Sequence, residues 1–523
     1  MTTRTDEKSL WFLDRGLTGC AVALILVQLA FWVPHYLAWP YWADHDVFAN
    51  AARSWFDGRL PYRDTRLNNF PGTIYLFALT GTLCGWGRPG GFFALDVGLL
   101  LTYGGTLAFW SRRNFGRTWP GLLGFLAYLS LAMGLDYAHA AQRDWQAPAL
   151  VVLALLVVQT SQGTAALVGS AGLAACGFAI RPQVVLLGPA LAWSAGWLDP
   201  SLGRAAPWRR VLVWAGALAG FVLLLFWPLV RAGVWDDFVG SLRLVRPGSA
   251  YNRVSGLSIL KRWCEQAAEL RWIALGLGLL VMVAARPDGP RRRLGWAWLL
   301  ALAGVSFYQP LSPVAHSYLD IPLPVVGAGA LAVILGCLAA PAAGPASLRL
   351  VAVLGLVAMG GTTLRPFFVQ VGPTVRAIRG LWSGAQPDGV PPGYFHGSVG
   401  TSAFYPWADY RATLDYLNDQ TKPTTRVANL LKGDPAVVSM VDRGSALPAE
   451  SITWLRMVRP DDQPLFADQL VGNVDSVVVW DPGSDGADRS AGLSELAAVV
   501  RRYYQPAVRF GVIEVWQRKR PPF

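Results

Sequence analysis

Five short polar clusters break an otherwise apolar chain, and each holds residue types able to do chemistry. The first is Asp44-His45-Asp46, just after an apolar run that ends near Tyr36. A carboxylate at a membrane surface, beside an apolar wall, has the setting that a general base needs. A plainer reading is a set of solvated loop charges. The second cluster is Tyr62-Arg63-Asp64, behind the turn residues Gly58 and Pro61. The third is Gln142-Arg143-Asp144-Trp145 at the start of another apolar run, either a reactive pair or a helix cap and interfacial anchor. The fourth is Arg181-Pro182-Gln183, between two apolar runs. Its guanidinium can grip a phosphate with two parallel bonds or merely anchor to headgroups. The fifth is His316-Ser317-Tyr318-Leu319-Asp320.

These clusters need elements to hold them. Of the 523 residues, 53% are hydrophobic and 15% are charged, against roughly 25% charged in soluble domains. Apolar stretches recur near 16–36, 92–110, 119–136, 147–160, 165–180, 184–198, 211–231, 272–286, 294–309, 320–338 and 349–366. In lipid each must be helical, because no water is present to satisfy the backbone. The expected fold class is therefore an α-helical polytopic membrane protein with about eleven transmembrane helices. The stretch 71–86 is apolar but short, and is expected to lie at the outer surface as a juxtamembrane helix.

Charge sets the orientation. The formal net charge is +12, but the arginines sit in short loops and no basic stripe with interleaved aromatics appears, so nucleic acid is not an expected partner. With a cytoplasmic N-terminus (1–15), the inner loops hold Arg112, Arg113 and Arg117, then Arg204, Arg209 and Arg210, then Arg286 and Arg291 to Arg293, then Arg349. The outer loops are then 37–91, 137–146, 232–271 and 309–319, and all five polar clusters face outward, from the first, second and fourth of these loops and from the turn at Arg181. The scattered Cys20, Cys84, Cys176, Cys264 and Cys337 show no metal-type spacing. The membrane module is expected over 16–379. Beyond it, 380–523 is richer in acidic residues and reads as a small extracytoplasmic α/β domain. There Tyr410–Leu417 and Leu493–Tyr504 suggest helices, and Val474–Trp480 and Val508–Trp516 suggest strands.

The order of these motifs resembles one family. An Asp just after the first helix, then Gly58-x-x-Pro61-Tyr62-Arg63-Asp64, then Pro71-Gly72 leading an apolar helix, looks like the membrane glycosyltransferases of the GT-C fold. The nearest resemblance is to the bacterial relatives of dolichyl-phosphate-mannose protein mannosyltransferases and of aminoarabinose lipid A transferase. Gln142-Arg143-Asp144 is similar to that family's second acidic loop. Gly172–Gln183 resembles its Gly-rich helix and basic-Pro turn, and His316–Pro322 resembles its late H/Y-x-x-x-x-x-P element.

The resemblance implies a sugar transfer from a polyprenyl-phosphate donor, at the outer face of the cell (inner) membrane, with inversion at the anomeric carbon. The sugar would be a hexose or pentose and the acceptor a glycan, lipid or protein. Asp44 matches the catalytic acid and Asp144 the second acidic position, with Asp46 competing for the place of Asp44. Arg143, Arg181 and His316 would bind the donor phosphate, and Tyr62-Arg63-Asp64 would belong to the substrate loop. Asn68-Asn69-Phe70-Pro71-Gly72 departs from the family's K-x-P-G run, so a basic residue is missing there and Arg66 is its candidate substitute. No metal and no other cofactor is expected beside the lipid-linked co-substrate. The rival class is a transporter or flippase of a lipid-linked or anionic substrate. It would need ionisable residues near mid-membrane, where Asp96, with Gln28 beside it in type, is the clearest candidate.

Overall fold

The computed structural model describes residues 4–135, 137, 139–198, 206–243, 256–267, 270–284, 289–311, 317–339, 375, 405–448, 455, 460–483 and 493–519. Helices occupy every stretch expected to span except 349–366, which lies outside the described residues. In chain order they are α1 (Arg4–Tyr36), α2 (Ala43–Phe56), α3 (Gly72–Cys84), α4 (Pro89–Phe115), α5 (Trp119–Met133), α6 (Arg143–Thr160) and α7 (Thr164–Ile180). Then follow α8 (Gly188–Trp197), α9 (Ala206–Arg231), α10 (Trp235–Arg243), α11 (Gly256–Ala267), α12 (Leu270–Ala284), α13 (Pro290–Ser306) and α14 (Pro322–Leu338).

Among the described residues, three helices are long and apolar enough on their own to cross a membrane: Asp14–Tyr36, Pro89–Phe115 and Ala206–Arg231. The outer helix α9 leaves Leu212, Leu223 and Leu224 exposed, as a helix bathed in lipid does. The chain is a multi-pass membrane protein. Proline begins several helices, at Pro89, Pro120, Pro290 and Pro322, where its missing N–H costs nothing. Pro189 also explains one departure. The expected span 184–198 opens as a 3-10 helix, Pro182–Leu187, and becomes α-helical only at Gly188. A proline inside a continuous helix would remove a hydrogen bond and clash with the preceding turn.

Helix α6 is the centre of the bundle, packed on α4, α7, α8 and α14 and buried along nearly its whole length. The first, third and fourth polar clusters meet at its N-terminal end.

The rest of the described chain forms one five-stranded sheet. Its strands are β1 (Arg426–Leu430), β2 (Gly444–Ser445), β3 (Ser476–Trp480), β4 (Tyr504–Phe510) and β5 (Ile513–Arg518), in the order β2-β1-β3-β5-β4. β1 runs parallel to β2 and β3, while β5 is antiparallel to β3 and β4. Successive side chains of β1 and β3 alternate between faces. Val427, Val477 and Val479 pack on the helix Trp407–Gln420 through Tyr410, Leu414 and Leu417. Ala428, Val478 and Trp480 pack on Gln463–Gly472 and Ser494–Tyr503. The stretch Val508–Trp516 is two strands rather than one, because Gly511 turns the chain at φ +58°.

The loop between β1 and β2 docks on the membrane bundle. Ala436 joins the bundle core, and Tyr41 N–H donates to Met440 Sδ at 3.4 Å. Arg53 pairs with Asp442 at 2.8 Å, and Arg59 donates to the carbonyls of Ser445 and Leu447.

Candidate active site

The helix that carries the first cluster, α2, starts at Ala43, so Asp44, His45 and Asp46 form its first turn. At 100° per residue, Asp44 and Asp46 face nearly opposite directions. That rotation separates two carboxylates that sequence alone leaves equivalent.

Asp44 lies on the open side, with its side chain 37% exposed and Arg143 Nη2 3.8 Å from Oδ2. Arg143 is itself 8% exposed and lies over the ring of Phe48, one turn after Asp44, at 4.9 Å. Its Nε and Nη1 are buried and meet no hydrogen-bond partner. Two orphaned donors on a buried cation mark a place where a ligand's acceptors fit.

Asp46 faces the sheet. It is 2% exposed, and Oδ1 accepts both the backbone N–H of Ser439, at 2.9 Å, and the Ser439 hydroxyl. Burial raises its pKa from 3.8 to about 6, although the bonds from Ser439 pull it down. The folded value lies above the unfolded one, so this group favours folding most below pH 4 and loses that contribution as pH rises towards 6. A rise from 3.8 to about 6 is worth roughly 3 kcal/mol. Thermal unfolding of detergent-solubilised protein is expected to show the stability of wild type relative to Asp46→Asn falling by about that much across this window, with His45 acting equally on both proteins. Parallel profiles for the two proteins would refute the assignment. His45, between them, is buried among Tyr41, Phe77, Phe92 and Phe93, and burial lowers its pKa to about 4. It is neutral at physiological pH.

The third and fourth clusters meet at the head of α6. Ala141 holds a positive φ of 51°, a strained angle for a residue with a Cβ, immediately before Gln142-Arg143-Asp144. No side-chain capping bond forms at Gln142. Asp144 instead turns inward. It is fully buried, and Oδ1 accepts Arg181 Nε at 2.9 Å and Tyr308 Oη at 3.0 Å, leaving Oδ2 without a partner. Arg181 ends α7 with an extended backbone. Because Arg143 and Asp144 are adjacent, the Asp44–Arg143 pair and the Asp144–Arg181–Tyr308 group make one continuous cluster.

The Pro71-Gly72 motif has a steric reason. A Cβ on Gly72 would stand 2.6 Å from the carbonyl carbon and oxygen of Ala179 and 2.7 Å from Ile180 N, the residues leading into Arg181. Gly72→Ala is expected to cost about 1–3 kcal/mol through overpacking. It should also lower activity by moving Arg181. A variant with wild-type melting temperature would contradict this contact.

The remaining candidates divide. Tyr62 sits at φ +67°, and its hydroxyl donates to the Asn69 carbonyl at 2.8 Å. Arg63 pairs with Asp237 at 2.9 Å and donates to Gly233 O, whereas Asp64 accepts the N–H of Leu60 at 2.7 Å. These contacts tie the loop to α10. Arg66 is half-buried, with Nε meeting no partner. His316 lies outside the described residues. Sequence reasoning missed Tyr308, whose one signal is a polar-tipped aromatic at the end of an apolar run.

No protein-family model and no curated protein matches this sequence. Solved structures do. ArnT from Cupriavidus metallidurans, in a crystal structure bound to undecaprenyl phosphate, is 16% identical, with 95% of this chain and 98% of that chain covered and a TM-score of 0.58. The Archaeoglobus fulgidus oligosaccharyltransferase, in complex with Zn and sulfate, is a looser likeness at 12% identity, covering 95% and 73%, with a TM-score of 0.40. The first superposition runs almost end to end on both chains. The chain therefore has the GT-C fold, the one that the order of its motifs resembles.

Proposed function

We propose that the chain is an inverting glycosyltransferase that moves a sugar from a polyprenyl-phosphate carrier to an acceptor at the outer face of the membrane. The observation that carries this reading is the pairing of an exposed carboxylate, Asp44, with a buried Arg143 whose Nε and Nη1 are unsatisfied. The neighbouring fold, bound to undecaprenyl phosphate in ArnT, supports a lipid phosphate as the ligand of those donors.

In this reading Asp44 takes the proton from the acceptor hydroxyl or amine. The freed lone pair attacks the anomeric carbon from the face opposite the phosphate. The bond from the anomeric carbon to the phosphate oxygen breaks, and its electrons pass to polyprenyl phosphate. Arg143 and Arg181 balance the charge that develops there, with Arg66 in place of the missing basic residue and His316 as a further donor. Asp144 orients Arg181, and Asp46 holds α2 against the sheet rather than acting as base. No metal is invoked, since a lipid phosphate already leaves as a stable anion. Eleven spans with an inner N-terminus put α2, the head of α6 and the 380–523 domain outside, in the cell envelope.

The test uses the full chain in lipid nanodiscs with synthetic polyprenyl-phosphate sugars carrying a radiolabel in hexose or pentose. Release of polyprenyl phosphate with labelled acceptor is expected. The reading fails if no panel member is cleaved and bare polyprenyl phosphate does not bind. Movement of intact labelled lipid between liposome leaflets, without cleavage, would establish the transporter class instead.

A further inference from the structure

We propose that Asp96 is a positioning residue for this site: its buried carboxylate sets the rotation of the first turn of α6, and with it the places of Arg143 and Asp144. Asp96 sits on α4 and is 4% exposed. Its Oδ1 accepts two bonds from α6, Trp145 Nε1 at 3.0 Å and Gln146 Nε2 at 2.8 Å. Its Oδ2 accepts the Tyr36 hydroxyl of α1 at 2.8 Å. Gln146 Nε2 also reaches the carbonyl of Ala141 at 3.3 Å, the strained residue that opens the turn. The Trp145 ring is clamped as well, stacked on Tyr128 at 4.8 Å and edge-on to Tyr103 at 5.8 Å.

Four consecutive helical residues point in four directions about the axis. With 145 and 146 fastened to α4, residues 143 and 144 have no freedom left to roll. Arg143 then meets Asp44, and Asp144 meets Arg181. Loss of the two α6 bonds would let the turn rotate, and a misplacement near 1 Å can cost about 10²-fold in rate. The same geometry distinguishes this role from proton carriage. All three partners are neutral donors, and Gln28, the other polar residue of the mid-membrane reading, is bonded to Ser130 at 2.9 Å.

An asparagine can keep the arrangement. Its carbonyl oxygen can accept from Trp145 and Gln146, while its amide donates to the Tyr36 hydroxyl, which also accepts. Steady-state transfer by folded, monodisperse protein in nanodiscs is therefore expected to give Asp96→Asn a kcat within about threefold of wild type. Asp96→Leu should fall by about 10–100-fold. Tyr36→Phe, which breaks only the bond away from α6, should stay within about threefold. A merely structural role would make kcat per folded molecule insensitive to all three. Should Asp96→Leu not fold, Gln146→Leu carries the same expectation at about tenfold. Wild-type kcat in folded Asp96→Leu or in Gln146→Leu overturns the proposal, as does an Asp96→Asn as inactive as Asp96→Leu. The inference rests on the sugar-transfer reading, and Asp144→Asn separates the two. If that variant transfers normally, the site assignment fails, whereas a silent Asp144→Asn beside a fully active Asp96→Leu removes only the role of Asp96.

Discussion

Asp44→Asn is expected to lower sugar transfer by about 10²–10⁴-fold, the usual contribution of a positioned general base, while bare polyprenyl phosphate still binds. The substitution keeps size and removes the negative charge together with the ability to take a proton. Little else should change, because Asp44 stands on the open side of α2 with 37% of its side chain exposed and faces Arg143 at 3.8 Å. The fold does not hang on it. Asp46→Asn is the matched control, one helix position pair away and buried against Ser439. Its rate per folded molecule should remain within about tenfold of wild type, well short of the loss expected for a base. Single-turnover measurement with labelled donor reads both variants. Full transfer by Asp44→Asn would sink the mechanism, and a silent Asp46→Asn beside an active Asp44→Asn would exchange their roles.

The largest effect on stability is expected at Asp144. Its carboxylate is fully buried and bound to Arg181 and Tyr308. Removing one partner of a buried pair leaves the other charge uncompensated, at a cost of about 3–5 kcal/mol. Asp144→Ala should therefore unfold at a much lower temperature as well as lose transfer. The double variant Asp144→Leu/Arg181→Met removes both charges and fills similar volume, so it should regain most of the stability. Transfer should stay low, since the Arg181 guanidinium that helps Arg143 balance the leaving phosphate is gone. A double variant that regained transfer along with its melting temperature would show that Arg181 serves the fold alone.

Much of this candidate site is legible in the amino-acid sequence. The apolar runs locate the helices, and the polar breaks between them locate Asp44, Arg143, Asp144 and Arg181, because a charge between two membrane helices must lie at an end. The helix over Tyr410–Leu417 and the strand ending at Trp480 follow from their periods in the same way. Three things were not legible. Asp44 and Asp46 are chemically alike, and only the start of α2 at Ala43 and the arrival of Ser439 set them apart. Tyr308 reaches Asp144 across 164 positions, which no local pattern encodes. Asp96 looked like a lone charge in a span because its three donors come from α1 and α6. Long-range pairing, not residue type, was the missing information.

The clamp between Asp46 and Ser439 also fixes an order of assembly. The two residues are 393 positions apart. At ordinary rates of synthesis, about 5–20 residues per second, the ribosome needs roughly 20–80 s to add the second after the first. Throughout that interval α2 has no loop to brace it. Truncated products released before the β1–β2 loop would carry α2 and the head of α6 yet lack the brace that Ser439 supplies.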